Sequence, residues 1–150
     1  MIIRLSLLLS GLWMSTLVGA QSAQPNQRHK DQISALIDSY SLAREQRDTA
    51  LLRRIMTKDV DQLVSTGEWR YGIDAAVSEM IKSSANRPGT RTLIIEKMRT
   101  MGVDCVTVDC RYEIRDTGGT IRKMWSTFMI GKEKKNWKIA AIRNMLPAAN

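Results

Sequence analysis

EKKNWKIAAIRNML (residues 133–146) decides how the C-terminal half of the chain is read. A charged turn from Glu133 to Asn136 opens onto WKIAAIRNM, whose apolar residues fit a strand. That strand closes on Arg143 and Asn144. Successive side chains of an extended chain point to opposite faces, so these two cannot act together in one pocket. Arg143 shares parity with Trp137 and Ile139. If that face is concave, its guanidinium meets an anionic ligand; otherwise it pairs with a nearby carboxylate.

Reading backwards from this strand, TLIIEKMRT (92–100), CVTVDCRYEIR (105–115) and IRKMWSTFMI (121–130) are further strands, parted by turn signals at Met101-Gly102 and Thr117-Gly118-Gly119. In the second of them Val106, Val108, Cys110, Tyr112 and Ile114 alternate with Thr107, Asp109, Arg111 and Glu113. The apolar set should meet helices and the charged set water. IRKMWSTFMI breaks that rule in either register, with Met124, Phe128 and Ile130 on one face and Trp125 and Met129 on the other. Ile139 and Ile142 repeat the conflict on the last strand. One apolar face then has no helix to cover it, which is costly in a monomer and predicts a homodimer packed sheet to sheet. The register of the 117–119 turn leaves open whether Trp125 or Phe128 lies at that interface.

Upstream of the strands the period changes. Ile33, Leu36, Ile37, Tyr40 and Ala43 form one face of a helix beginning near Asp31. Asp48 caps a second helix that holds Ala50, Leu51, Leu52, Ile55 and Met56. After Lys58-Asp59, VDQLVSTGEWRYG (60–72) reads as a short strand and turn punctuated by Gly67 and Gly72. Asp74, Ala75, Ala76, Val77, Met80 and Ile81 predict a third helix that stops before Asn86-Arg87-Pro88-Gly89. Three helices followed by a four-strand meander make an α+β fold, in which a curved, mostly antiparallel sheet wraps a helical layer.

The beginning of the chain has another character. Arg4, an apolar run from Leu5 to Val18 and the small residues Gly19-Ala20 have the form of a secretory signal, too short to span a bilayer. Residues 1–20 are therefore expected to be removed and the protein exported to the periplasm or medium, with no transmembrane segment after cleavage. Residues 21–30, QSAQPNQRHK, read as a flexible leader, and 31–150 as one domain. Without Arg4, 22 basic residues remain against 15 acidic ones, an excess that attracts anionic partners. Nucleic acid is not among them, because no dense Lys/Arg stripe with interleaved aromatics is present. Export permits a disulfide between Cys105 and Cys110, but five residues of extended chain cover about 16 Å, too far to bridge unless 106–109 form a hairpin tip.

AREQRDTALLRRIMTKDV, RYGIDAAVSEMI and NWKIAAIRNM resemble the NTF2-like superfamily, in particular its small domains similar to SnoaL and to the calmodulin-kinase association domain. The resemblance runs from about Gln32 to Leu146 and implies a cone of three N-terminal helices on a curved sheet, with sheet-to-sheet dimers as the usual assembly. The superfamily includes isomerases, hydrolases, cyclases, transport factors and proteins without chemistry. Tyr40 lies eight residues before Asp48, the spacing at which its ketosteroid isomerases place the tyrosine of the oxyanion hole. The aspartate base of those enzymes falls here at Val64, so the isomerase reading fails at that residue. Asp59, after the second helix, is the remaining carboxylate candidate to act with Tyr40 in acid-base chemistry.

The only histidine, His29, falls in the leader, which removes Ser-His-Asp, Cys-His and histidine-metal chemistry from consideration. No metal or cofactor is expected. Aromatics can line a cavity for apolar or ring-shaped ligands, and Trp69 and Tyr112 join Tyr40 and Arg143 as candidate binding residues. The favoured reading is an exported, non-catalytic domain that binds a small apolar or anionic ligand or a partner. An isomerase or lyase-like enzyme, and a dimeric assembly module without ligand, are the alternatives.

Overall fold

Helix α1 (Gln27–Gln46) begins ahead of Asp31, where the apolar period starts. The cause is Asn26, whose side chain accepts the backbone N–H of His29 at 2.9 Å and so supplies an N-cap that periodicity alone does not reveal. In the computed structural model, which describes residues 25–148, positions 27–30 therefore belong to the domain and not to a leader. His29 is ordered against it, edge-on to Trp137 with ring centroids 5.2 Å apart. The expected signal segment, residues 1–20, and the first residues of the expected leader, 21–24, lie outside the described residues.

Asp48 caps helix α2 (Thr49–Ile55) as expected, its Oδ1 accepting from Leu51 N at 2.9 Å. Met56, expected inside that helix, instead opens strand β1 (Met56–Leu63) and packs into the core. Strand β2 (Trp69–Tyr71) folds back on β1, and helix α3 (Gly72–Asn86) follows. Strands β3 (Gly89–Thr100), β4 (Cys105–Asp116), β5 (Ile121–Glu133) and β6 (Asn136–Met145) form the antiparallel meander. A single parallel pairing, β1 with β6, joins the hairpin to it, giving one sheet ordered β2-β1-β6-β5-β4-β3. The sheet is curved and unclosed, and Ile33, Ile37 and Tyr40 of α1 share its core with Phe128, Ile130, Ile139 and Ile142.

One register decides what the sequence left open, and a second corrects the sequence reading. On β5, Met124, Ser126, Phe128 and Ile130 turn inward while Trp125 stays 43% exposed on the outer face, so Trp125 and not Phe128 belongs to any sheet-to-sheet interface. On β6, the pairing jumps from Met129↔Ala141 to Ile130↔Ile139, which leaves Ala140 as the extra residue of a bulge. One inserted residue exchanges the faces beyond it. Trp137 and Ile139 before the bulge and Ile142 and Asn144 after it are all buried, which removes the apparent conflict between Ile139 and Ile142. Arg143 consequently does not share a face with Trp137.

The charged face of β4 points outward as expected. Asp109 pairs with Arg99 at 3.7 Å and Arg111 with Glu96 at 3.1 Å across the strand junction. Cys105 and Cys110, on this one strand, are free thiols.

Candidate ligand-binding site

The inner end of the site is built on one turn of α1. Tyr40 and Arg44, four residues apart, share a helix face, and Arg44 Nη1 donates to the Tyr40 hydroxyl at 2.9 Å. Arg44 Nε donates to Ser84 Oγ of α3 at 3.1 Å, which ties the two helices together. The Tyr40 ring is fully packed, edge-on to Phe128 at 5.3 Å. Arg44 is only 5% exposed, yet none of the ion pairs among the described residues includes it. A buried charge without a counter-charge is costly unless it is well hydrogen-bonded.

Arg44 lines a recess of about 40 Å³ together with Gln62, Arg70, Tyr112, Arg122 and Asn144. Gln62 comes from β1, Tyr112 from β4 and Asn144 from the bulged end of β6. Val64, Ser65 and Ser83 also line the recess and continue into a vestibule of about 280 Å³. The vestibule shares Asn86, Arg87 and Arg122 with an outer space of about 330 Å³ beside the β4–β5 turn. The three spaces run from the mouth of the cone to Arg44.

Positive charge is concentrated along this path. Arg70 is neutralised by Glu68 at 3.0 Å and Lys82 by Glu79. Arg122 donates to Ser65 Oγ at 2.8 Å and, like Arg87, enters none of the ion pairs among the described residues. Burial, and then the neighbouring charge of Arg87, lower the pKa of Arg122. Burial likewise raises the pKa of the Tyr112 hydroxyl, which keeps it neutral at physiological pH, although the Arg44 charge opposes that shift.

The sequence-derived candidates divide between the two faces of the sheet. Tyr40 and Tyr112 belong to the inner site, Tyr112 as lining and Tyr40 as the support of Arg44. Val64 lines the recess where the isomerase comparison would need its aspartate. Asp59 is exposed on the irregular stretch of β1 and is brought near neither tyrosine by any hydrogen bond; it does not line the cavity. Trp69 and Arg143 lie on the outer face, where the guanidinium stacks 4.7 Å over the indole and grips Asp61. Of the two placements left open for Arg143, the carboxylate pairing is the one that occurs. Asn144, its neighbour, is the residue that enters the pocket. Arg44 was missed although its sequence position carried a signal: an arginine on the apolar stripe of Ile33, Ile37 and Tyr40.

Among the described residues no cluster of three His, Cys, Asp or Glu is placed to hold a metal ion, and no helix is long and apolar enough to cross a membrane.

No protein-family model matches the chain, and no curated protein matches it in sequence. Solved structures do match in shape. An NTF2-like protein of unknown function from Shewanella oneidensis superposes with a TM-score of 0.65 at 16% identity, covering 78% of this chain and 98% of that one. An NTF2-like superfamily protein from Salmonella enterica serovar Typhimurium gives 0.68 at 13% identity, covering 84% and 96%. A protein from Novosphingobium aromaticivorans provisionally named scytalone dehydratase gives 0.71 at 13% identity, covering 82% and 87%. At such low identity these likenesses speak for shape, and the shape is that of the NTF2-like fold.

Proposed function

We propose that this protein binds a small ligand in the cone cavity without transforming it. The observation that carries the reading is the composition of the inner recess. Its lining contains three arginines and two amides and neither a carboxylate nor an imidazole. Such a surface can hold and orient a molecule, but it offers no group of ordinary pKa to take up a proton near neutrality. The dehydratase name of one structural neighbour raises the lyase alternative. Here the Tyr40 hydroxyl is engaged by Arg44 and Asp59 faces outward, which favours binding over that chemistry.

The test is mass spectrometry of small molecules released when protein purified under native conditions is denatured. A stoichiometric compound, absent from a variant whose cavity is filled by Ser83→Trp, supports the reading. Protein that releases nothing and whose melting temperature no metabolite pool raises overturns it.

Export after cleavage at Ala20 is part of the proposal, supported by the form of residues 1–20. So is a homodimer through the outer face, supported by Trp125 and Trp69, each 43% exposed, and by the exposed Met145 directly across from Trp125 in the sheet.

A further inference from the structure

The walls of the inner recess present hydrogen-bond donors and almost no acceptors. Gln62, 1% exposed, uses its Oε1 to accept from Arg70 Nη1 at 3.3 Å. Arginine can only donate, so this contact fixes the amide with its NH2 group left over. Asn144 Oδ1 accepts from Ser126 Oγ at 2.6 Å, and its NH2 group is left over as well. Neither amide nitrogen has an acceptor among the described residues. Arg44 uses two of its five N–H groups, on Tyr40 and Ser84, and keeps the rest. Three buried side chains from α1, β1 and β6 thus present donors, and one of them, Arg44, carries a full charge that enters none of the ion pairs among the described residues.

We infer that the recess is a carboxylate site: a small organic acid enters with its carboxylate against Arg44, Gln62 and Asn144 while its body occupies the vestibule. This rests on the binding function proposed above and names the class of ligand. A carboxylate supplies both what the walls lack, acceptor lone pairs and a negative charge, and its planar shape suits a guanidinium edge. A recess of about 40 Å³ admits such a head group but not a ring. The vestibule of about 280 Å³ is wide enough for a ring behind it; its wall combines Val64 with polar residues, among them Glu68 and Glu79, which are paired with Arg70 and Lys82. Arg87 and Arg122, both without carboxylate partners among the described residues, stand along the entrance and draw anions inward.

The experiment is calorimetric titration of the purified protein with benzoate, benzamide and phenyl phosphate, repeated on Arg44→Met and, as an outer-face control, Arg143→Met. Benzoate should bind about tenfold or more tightly than benzamide, the scale of a charge-assisted hydrogen bond, and Arg44→Met should remove that preference. Arg143→Met should leave it intact. Melting curves of ligand-free Arg44→Met guard against misfolding. Removal of an uncompensated buried charge should leave its melting temperature equal or higher. If Arg44→Met proves unfolded, Asn144→Leu serves in its place and should weaken benzoate alone. Benzamide binding as well as benzoate, benzoate binding that is indifferent to both variants, or no benzoate binding at all overturns the inference. A preference for phenyl phosphate overturns the carboxylate class. A neutral compound released from the native protein would retain the binding function while refuting the acid, which keeps the two claims separable.

Discussion

Arg143 and Asp61 form a two-pronged ion pair across the parallel junction of β1 and β6, with Nη1 to Oδ1 at 2.8 Å and Nη2 to Oδ2 at 3.1 Å. The same guanidinium covers the Trp69 ring at 4.7 Å, and Trp69 stacks in turn on Tyr71 at 5.6 Å. The pair thereby pins the short β2 hairpin to the only parallel seam of the sheet. Both side chains are partly exposed, so solvent screening keeps the pair weak despite its good geometry. Arg143→Met should lower unfolding free energy by about 1 kcal/mol and speed hydrogen exchange in β2 more than in β3. Urea denaturation combined with exchange mass spectrometry checks both.

Tyr40→Phe removes the acceptor of a charged, buried donor. Leaving Arg44 Nη1 without that partner should cost about 1.5–3 kcal/mol, more than a neutral hydroxyl would. The cost should largely vanish in an Arg44→Met background, because the two residues act through one contact. Four-way denaturation curves measure the coupling, and equal effects of Tyr40→Phe in both backgrounds would show that the hydroxyl matters for another reason.

Gly89 opens β3 against the end of β4 with so little clearance that a Cβ would stand 2.2 Å from the Arg115 carbonyl oxygen. The obstruction is backbone and cannot rotate away. Gly89→Ala should destabilise by about 3 kcal/mol, at the upper end for overpacking, whereas Gly131→Ala, which meets nothing, should be nearly silent. Paired thermal denaturation curves give the comparison.

Burial, assisted by Asp109 and Glu96, pushes the Cys110 thiol up to about 12. An unfolded thiol ionises near 8.5, so the folded state holds its proton where the unfolded state has lost it. The resulting contribution is fully present below about pH 8.5 and declines by about 1.4 kcal/mol per pH unit above it, until the folded thiol also ionises. Stability measured from pH 8 to 10 should fall, and Cys110→Ala should flatten that fall. In native protein Cys105 should react with a thiol reagent and Cys110 should not.

Light scattering addresses the outer face. The homodimer reading expects twice the chain mass at micromolar concentration, and Trp125→Glu should give a folded monomer by replacing the exposed indole, 43% accessible, with a charge. A wild-type monomer would end that reading and leave the cavity claims untouched.

The sequence by itself determined the three helices and the four strands of the meander, because these follow from local patterns. The 3.6-residue stripe through Ile33, Ile37 and Tyr40, the Asp48 cap, and the alternation of Val106, Val108 and Cys110 each act within a few residues of chain. What only the tertiary structure decided depends on contacts between distant segments. The parallel pairing of β1 with β6 joins residues some eighty positions apart, and the Ala140 bulge appears only when β6 is laid against β5. That one-residue slip sends Asn144 into the cavity and Arg143 out to Asp61, the reverse of what uniform alternation from Trp137 implies. Arg44 shows the same division: its place on the helix face is local, but its lack of a carboxylate partner becomes visible only once β1, β4 and β6 have closed around it.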